Sequence, residues 1–391
     1  MTPIAQARLL VADDNPDNRE VLIRRLRRLG YTSIESAVDG QEALEMNAAA
    51  PFDLILLDVM MPRKNGIQVL ETLNAEKRLE TTPVIMISAA TELDTVVRCL
   101  ELGAEDYLPK PFNPALLKAR LGAVLEKYRL RAELRRHLAR METELAEARE
   151  QQLSMVPTEF PAIGGATPVE VHGAMRPARE VGGDFYDAFE IVPGTLCIAV
   201  GDVSGKGMPA ALFMARARSL LRATALLMAG HRGMAPMPDE VARAMNDELC
   251  KNNPFCNFLT LFMGFLDTAS GELRYVNAGH VRPYVLPRGG APYELVSPPD
   301  VPLGFEPEAV FRTGVLTLGP GDALVAISDG VHDMEREDGT IFGRPATLDC
   351  LAGAVDRGAA ALTNHLMDAV FAFGGGAAQA DDVTILAVRR A

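Results

Sequence analysis

Between residues 8 and 125, short β-branched runs alternate with amphipathic stretches, and this alternation confines the first third of the chain to one kind of fold. The runs are RLLVADD, SIESA, DLILLD, PVIMIS and DYLPKP. Between them lie segments such as NREVLIRRLRRLG, where Val21, Leu22, Leu26 and Leu29 recur at helical spacing. Such βα alternation predicts a parallel sheet covered on both faces, with function at the carboxyl ends of the strands. Asp13 and Asp14 close the first run, Asp58 the third and Ser88 the fourth, and Lys110 follows the fifth.

Three carboxylates converging on one rim repel one another and attract a hard divalent cation with oxygen ligands, usually Mg²⁺. The cation offsets the charge of an incoming phosphoryl group, so that one carboxylate can act as nucleophile. A lysine and a hydroxyl nearby can hold the phosphoryl oxygens. The tract DVMMPRKNG opens a loop directly after Asp58. In this order and spacing the first 125 residues resemble bacterial two-component receiver domains. The match lies in Asp13–Asp14, Asp58 in D-x-M-M-P-x-x-x-G, Ser88 in SAA, and Tyr107 with Lys110 in DYLPKPF. The resemblance implies a flavodoxin-like, doubly wound sheet of strand order 2-1-3-4-5. It also implies Asp58 as phospho-acceptor and Asp13, Asp14 and the Met60 carbonyl as further Mg²⁺ ligands. Lys110 becomes the phosphate contact and Ser88 with Tyr107 the switch pair.

From Asn113 the chain is free of proline after Pro114 and dense in Ala, Leu, Glu and Arg, all strong helix formers. Leu134, Leu138, Met141, Leu145, Ala148 and Gln152 follow the spacing of a coiled-coil seam. Leu117, Leu121, Val124 and Tyr128 keep the same rhythm, but one residue out of phase. Two readings are open: a parallel homodimer through this helix, or a monomeric helix lying on either domain. Pro157 and Pro161 are expected to end it. The division is thus 1–125, a linker at 126–156, and a second domain at 157–391.

Beyond residue 157 the pattern changes. TLCIAV, FLTLFMGFLD, ELRYVNAG, ALVAIS and VTILAV read as strands, and MPAALFMARARSLLRATALLMA and DEVARAMNDELCK as helices. Steady βα alternation is absent, which predicts an α+β domain with antiparallel sheets. Aspartates stand at strand ends or beside glycine in GGDFYD (Asp184, Asp187), AVGDVSGKG (Asp202), ISDG (Asp329) and ADDVT (Asp381, Asp382). A carboxylate next to an apolar strand costs desolvation energy unless a cation or hydrogen bonds offset it. Each acid alone could be a turn former; four clusters in one domain imply cations. An all-oxygen donor set suits Mg²⁺ or Mn²⁺, and two such ions about 4 Å apart can activate water and clamp a phosphoryl group.

In order, PAREVGGDFYD, GDVSGKGMPAAL, NAGH, SDGVHD and DDVT resemble the metal-dependent protein phosphatases related to protein phosphatase 2C, in their SpoIIE-like branch. That resemblance implies two antiparallel sheets packed between helices and hydrolysis of phosphoserine or phosphothreonine without a covalent enzyme intermediate. It implies Asp202 as the ligand bridging two Mn²⁺ or Mg²⁺ ions, with the Val203 carbonyl as a further ligand. Asp184 supports the site, Asp329 and Asp381 bind a metal, and Asp381 is preferred to Asp382. The aspartate-glycine-histidine tract of eukaryotic relatives reads Asp202-Val203-Ser204 here, which leaves protonation of the leaving group unassigned. His280 in NAGH is either that proton donor or an imidazole bonded to a loop; His332 is a weaker candidate. GGDF lacks the glutamate of cyclic-dinucleotide synthases, and GDVSGKG lacks the GxxxxGK spacing of a P-loop.

A net charge of −13 argues against a nucleic-acid partner. No apolar run nears the roughly 18 residues that cross a bilayer, and the N-terminus leads straight into a strand, so the expected setting is the cytoplasm without a membrane partner. Cys99, Cys197, Cys250, Cys256 and Cys350 form no CxxC pair, which predicts reduced, mostly buried thiols. The expected function is a phosphatase controlled by Asp58 phosphorylation. Its expected partners are a sensor histidine kinase and a phosphorylated anti-sigma-factor antagonist. The alternative is a catalytically silent adaptor that binds such a partner; the intact acids favour the enzyme.

Overall fold

The computed structural model describes residues 6–89, 93–160, 168–297 and 300–391. It divides into two compact units, Met1–Met141 and Glu142–Ala391.

In the first unit the five expected runs form β1 (Leu9–Ala12), β2 (Ile34–Ala37), β3 (Leu54–Asp58), β4 (Val84–Ala89) and β5 (Asp106–Lys110). All pair in parallel, in the order 2-1-3-4-5. The crossovers are α1 (Pro16–Arg28), α2 (Gly40–Ala49), α3 (Gly66–Ala75) and α4 (Leu93–Glu101). Asn15 and Asp39 cap α1 and α2 by accepting first-turn N–H groups, and Asn65 with Gln68 forms a capping box on α3. Successive residues of one strand enter opposite cores. Leu54 and Leu56 pack with Leu22, Leu26, Leu117 and Leu121, whereas Ile55 and Leu57 pack with Val69, Leu70 and Leu73. Burial on both faces is why these strands read as unbroken apolar runs, each leucine adding about 2 kcal/mol of transfer free energy. Val21, expected on the apolar face of α1, is exposed; Leu22 and Leu26 are its buried residues.

Helix α5 (Pro114–Met155) runs for 42 residues, about 63 Å. Leu117, Leu121, Val124 and Leu125 are buried in the first unit's core. The Tyr128 hydroxyl lies 2.8 Å from both the Leu79 carbonyl and the Glu105 carboxylate. Further along, Leu134, Leu138 and Met141 are 59%, 51% and 58% exposed. The two apolar rhythms differ in phase because the first is set by this core and the second is free of it; the helix continues through the break. Gln152, the last position of the expected seam, is buried within the second unit. The helix ends two residues before Pro157, and Pro161 lies outside the described residues.

The second unit is helix on sheet on sheet on helix. One sheet orders β13 (Gly314–Thr317), β10 (Glu272–Ala278), β9 (Leu259–Asp267), β8 (Thr195–Val203) and β7 (Phe185–Val192). The other orders β12 (Tyr293–Glu294), β11 (Tyr284–Leu286), β14 (Ala323–Ile327), β15 (Val383–Arg390) and β6 (Val169–Arg176). Every pairing is antiparallel. Leu196, Ile198, Val200, Phe262 and Leu266 meet Leu324, Leu386 and Val388 between the sheets. Cys197, Ala199, Leu261 and Met263 point the other way, onto α6 (Met208–Arg232) and α7 (Pro238–Leu249). The second sheet is covered by α8 (Gly343–Ala352) and α9 (Ala359–Gly374) through Leu351, Leu362, Leu366 and Val370.

No helix among the described residues is long and apolar enough to cross a membrane. The five cysteines are free; Cys99 and Cys197 are buried, but Cys250 and Cys350 are partly exposed and Cys256 exposed, so burial is less general than expected.

Candidate metal centres

At the carboxyl ends of β1 and β3, ligand atoms of Asp13, Asp14 and Asp58 lie within 4.8 Å of one another, the one such acid, histidine or cysteine group among the described residues. Asp13 and Asp58 are buried and Asp14 is exposed. The Lys110 ammonium, from the end of β5, reaches Asp58 Oδ1 at 2.8 Å and Asp13 Oδ2 at 2.9 Å. The Asn15 N–H and the Asn18 amide donate to Asp13 Oδ1 at 2.9 and 3.2 Å. Burial raises the Asp58 carboxyl above its ordinary value and the neighbouring acids add to this, against the pull of Lys110. Burial alone would lower Lys110, but its bonds to Asp58 and Asp13 outweigh that and hold it protonated. Three carboxylates against one ammonium leave a net negative, all-oxygen rim that fits a hard divalent cation. Ser88 is buried at the end of β4, Tyr107 is half-buried on β5, and Met60 is exposed just after Asp58. A Cβ on Gly66 would stand 2.2 Å from the Asp58 carbonyl, so only glycine lets the loop return against the acceptor's own backbone.

The second unit gathers its acids from four segments. Asp184 precedes β7, Asp202 lies near the end of β8, Asp329 follows β14, and Asp381–Asp382 precede β15. Cross-bonds tie these segments together. Thr384 donates to Asp184 Oδ2 at 2.5 Å, and the Ser328 hydroxyl donates to the Asp382 carbonyl at 3.1 Å. Asp382 accepts the Ala178 N–H at 2.8 Å on one oxygen and the Gly183 and Asp184 N–H groups at 2.9 and 3.3 Å on the other. A Cβ on Gly182 would lie 1.9 Å from that second oxygen, which explains the glycine before Gly183. Asp382 thereby organises the 178–184 loop, while the half-exposed Asp381 meets the Lys206 ammonium at 2.9 Å.

Burial drives the Asp184 carboxyl well up, with Asp202 and Asp382 adding to it. Asp202 is pushed up to about 7, by burial first and then by Asp329 and Asp381, while a hydrogen bond with Asp184 works the other way. Asp329 is raised by burial, Asp381 and Asp333. Buried like charges that raise one another are the arrangement a divalent cation relieves. Unlike the first unit's trio, no three of these acids, all of them described residues, bring ligand atoms within 4.8 Å of one another. His280 Nδ1 lies 2.8 Å from the Thr260 hydroxyl, and burial lowers the imidazole to about 4. It is thus neutral near pH 7, and its bonded partner lies on β9 rather than on a loop. His332 Nε2 lies 2.8 Å from the Tyr284 hydroxyl in a buried pair.

The family model described as Stage II sporulation protein E (SpoIIE) matches residues 193–391, more than half of the chain. The chain belongs to the SpoIIE family. The response regulator receiver domain model matches residues 9–122. Protein IcfG of Synechocystis is 30% identical over 267 residues, 63% of this chain and 41% of that protein. The transcriptional regulatory protein CpxR of Escherichia coli K12 is 46% identical over 121 residues, 31% of this chain and 50% of its own. The chain therefore spans half or less of the length of these relatives. The SiaA-PP2C domain of Pseudomonas aeruginosa shares the fold at a TM-score of 0.57 and 22% identity, over 65% of this chain and 98% of that domain. Together these make the protein a receiver domain joined to a SpoIIE-type, PP2C-like phosphatase domain.

Several residues at the sites were not legible beforehand. Asp187, grouped with Asp184 by its motif, is instead fully buried against Arg222 at 2.7 and 2.9 Å and Arg218 at 3.1 Å. Gln152 donates to the Gly182 carbonyl at 2.6 Å and accepts its N–H at 3.0 Å. Lys206 had one signal, a lone cation between two glycines just after Asp202.

Proposed function

We propose that the chain is a response regulator in which phosphorylation of Asp58 by a sensor histidine kinase controls a metal-dependent phosphoserine/phosphothreonine phosphatase. The substrate would be a phosphorylated anti-sigma-factor antagonist in a cytoplasmic partner-switching pathway. Residues 1–125 receive the signal, 126–156 form a linker that pairs two copies into a homodimer, and 157–391 catalyse. In the receiver, Asp13, Asp14, Asp58 and the Met60 carbonyl would hold Mg²⁺, Lys110 would contact the phosphoryl group, and Ser88 with Tyr107 would switch. In the phosphatase domain, Asp184, Asp202, the Val203 carbonyl, Asp329 and Asp381 would hold two Mn²⁺ or Mg²⁺ ions. When bound, such ions neutralise phosphoryl charge and activate water.

The observation that carries this reading is the set of strand-end aspartates in which Asp184, Asp202 and Asp329 are all raised by burial and by neighbouring carboxylates. Asp202 is the acid that Asp329 and Asp381 raise while a hydrogen bond with Asp184 opposes them, which supports it as the bridging ligand. Asp382, with both oxygens on backbone N–H groups, holds the loop that presents Asp184. Gln152 links the last turn of the linker helix to the same loop, and so gives a change in that helix a route to Asp184.

The test is turnover of p-nitrophenyl phosphate and of a phosphoserine-bearing antagonist protein with Mn²⁺, beside Asp202→Asn. Removing the bridging carboxylate should cost about 4 kcal/mol of barrier stabilisation, roughly a thousandfold in rate. A wild-type protein that binds the antagonist and hydrolyses neither substrate would instead make the chain an adaptor.

A further inference from the structure

Lys206 lies in the GDVSGKG turn, three residues beyond Val203, and its side chain reaches back to the acids. Its ammonium is 2.9 Å from Asp381 Oδ2 and donates to the Ala380 carbonyl at 2.6 Å. Both side chains of the pair keep a water-facing side, at 43% and 39% exposure. They border a small recess whose lining includes Arg179, Asp382 and the glycines Gly182, Gly183, Gly205 and Gly207. Asp184 and Asp382 are satisfied by O–H and N–H donors alone, whereas Asp381 accepts the Asp382 N–H at 3.0 Å on Oδ1 and is paired on Oδ2 with the Lys206 ammonium.

An ammonium and a divalent ion on one carboxylate compete for the same oxygens and repel each other, and the doubly charged ion holds the carboxylate more strongly. A divalent cation held by Asp381 would therefore free the Lys206 ammonium. The lysine cannot travel far, since its backbone is fixed by the turn that follows Asp202 and Val203. Its ammonium stays beside the recess, where the anion that arrives next is a phosphoryl group. A compact ammonium with three donors matches non-bridging phosphoryl oxygens.

We propose that Lys206 changes partners during the cycle. It neutralises Asp381 before the divalent cation binds, and afterwards contacts the phosphoryl group of the phosphoserine or phosphothreonine ester, or the orthophosphate product. This rests on the phosphatase reading above and deepens it, because it makes binding ordered, cation before phosphate.

The experiment uses the full chain with Lys206→Met and Lys206→Arg. Calorimetric titration with Mn²⁺ reads cation affinity, and titration with inorganic orthophosphate at saturating Mn²⁺ reads the anion contact. The receiver is identical in all three proteins and drops out of the differences. In Lys206→Met, Mn²⁺ should bind more tightly, since its competitor is gone, while orthophosphate binds about tenfold more weakly, the loss of one charge-assisted hydrogen bond. Lys206→Arg should recover most of the orthophosphate affinity. An unchanged orthophosphate affinity in Lys206→Met overturns the proposal. So does a loss of Mn²⁺ binding in that variant, which would make Lys206 a brace for the Ala380–Asp381 turn. Failure of the phosphatase reading looks different: the wild type would bind Mn²⁺ and turn over no phosphoester, whatever Lys206→Met does to orthophosphate.

Discussion

The receiver and the phosphatase domain both crowd aspartates at strand ends, but they offset the repulsion by different means. In the receiver the three acids close to within 4.8 Å, and Lys110 supplies an internal positive charge to two of them. In the phosphatase domain the acids come from four segments, and the groups that raise Asp202 after burial are other carboxyls. There the ammonium of Lys206 lies at the edge, on Asp381. A closed trio with its own counter-ion suits one cation and a phosphoryl group that stays attached. An open set with unrelieved repulsion depends on charge brought from outside, which suits ions that work on a substrate that leaves.

Each way of balancing charge can be removed by a single substitution. The largest effect is expected from Asp58→Ala, which should abolish the response of phosphatase turnover to a small-molecule phosphodonor. A response that survived would remove the receiver trio from control. Next, Lys110→Met leaves the buried Asp13 and Asp58 without their counter-charge, and should destabilise the receiver by about 3 kcal/mol in urea unfolding. Mg²⁺ should restore most of that loss. A variant as stable as the wild type would mean that the built-in charge matters less than its geometry suggests.

A smaller effect follows from pH. Between the ordinary 3.8 and about 7, folded Asp202 keeps a proton that the unfolded chain has released. Without cations the phosphatase domain should therefore lose stability as pH rises through that window. Mn²⁺ needs the ionised carboxylates, so its gain in Tm should be larger near pH 8 than near pH 5.5, read by scanning fluorimetry. Equal gains would show that Mn²⁺ does not relieve this repulsion. The smallest change in fold stability, within about 0.5 kcal/mol, is expected from Leu138→Asp on the exposed stripe of α5. Its readout is sedimentation, where a shift from dimer to monomer supports pairing through the linker and an unshifted profile removes it.

What could be read in advance followed from periodicity. The receiver strands were legible because both faces are buried, and β8, β9, β10, β14 and β15 because apolar residues dominate their runs. β6, β7, α8 and α9 were not, since the small and half-buried residues of VEVHGAMR and the alanines of AAALTNHLMDAVFAFG leave the apolar period weakly marked. At the sites, residue type was legible and partnership was not. Asp184 and Asp187 share one motif, yet Asp187 is neutralised by Arg218 and Arg222, more than 30 positions away on α6. Asp381 and Asp382 are adjacent, and only the backbone N–H groups of residues 178–184 separate their roles. Gln152 fits a coiled-coil seam by spacing; the hydrogen bonds to Gly182 that bury it cross 30 residues.

The unbroken α5 also limits how the protein can evolve. Tyr128 is fastened to Leu79 and Glu105, and Gln152 to Gly182, with the exposed stripe between them. A helix turns about 100° per residue, so one inserted residue would swing Gln152 out of line with that stripe. Seven would return it to within about 20°. Along one helix a seam is thus kept by changes of seven residues and lost by changes of one.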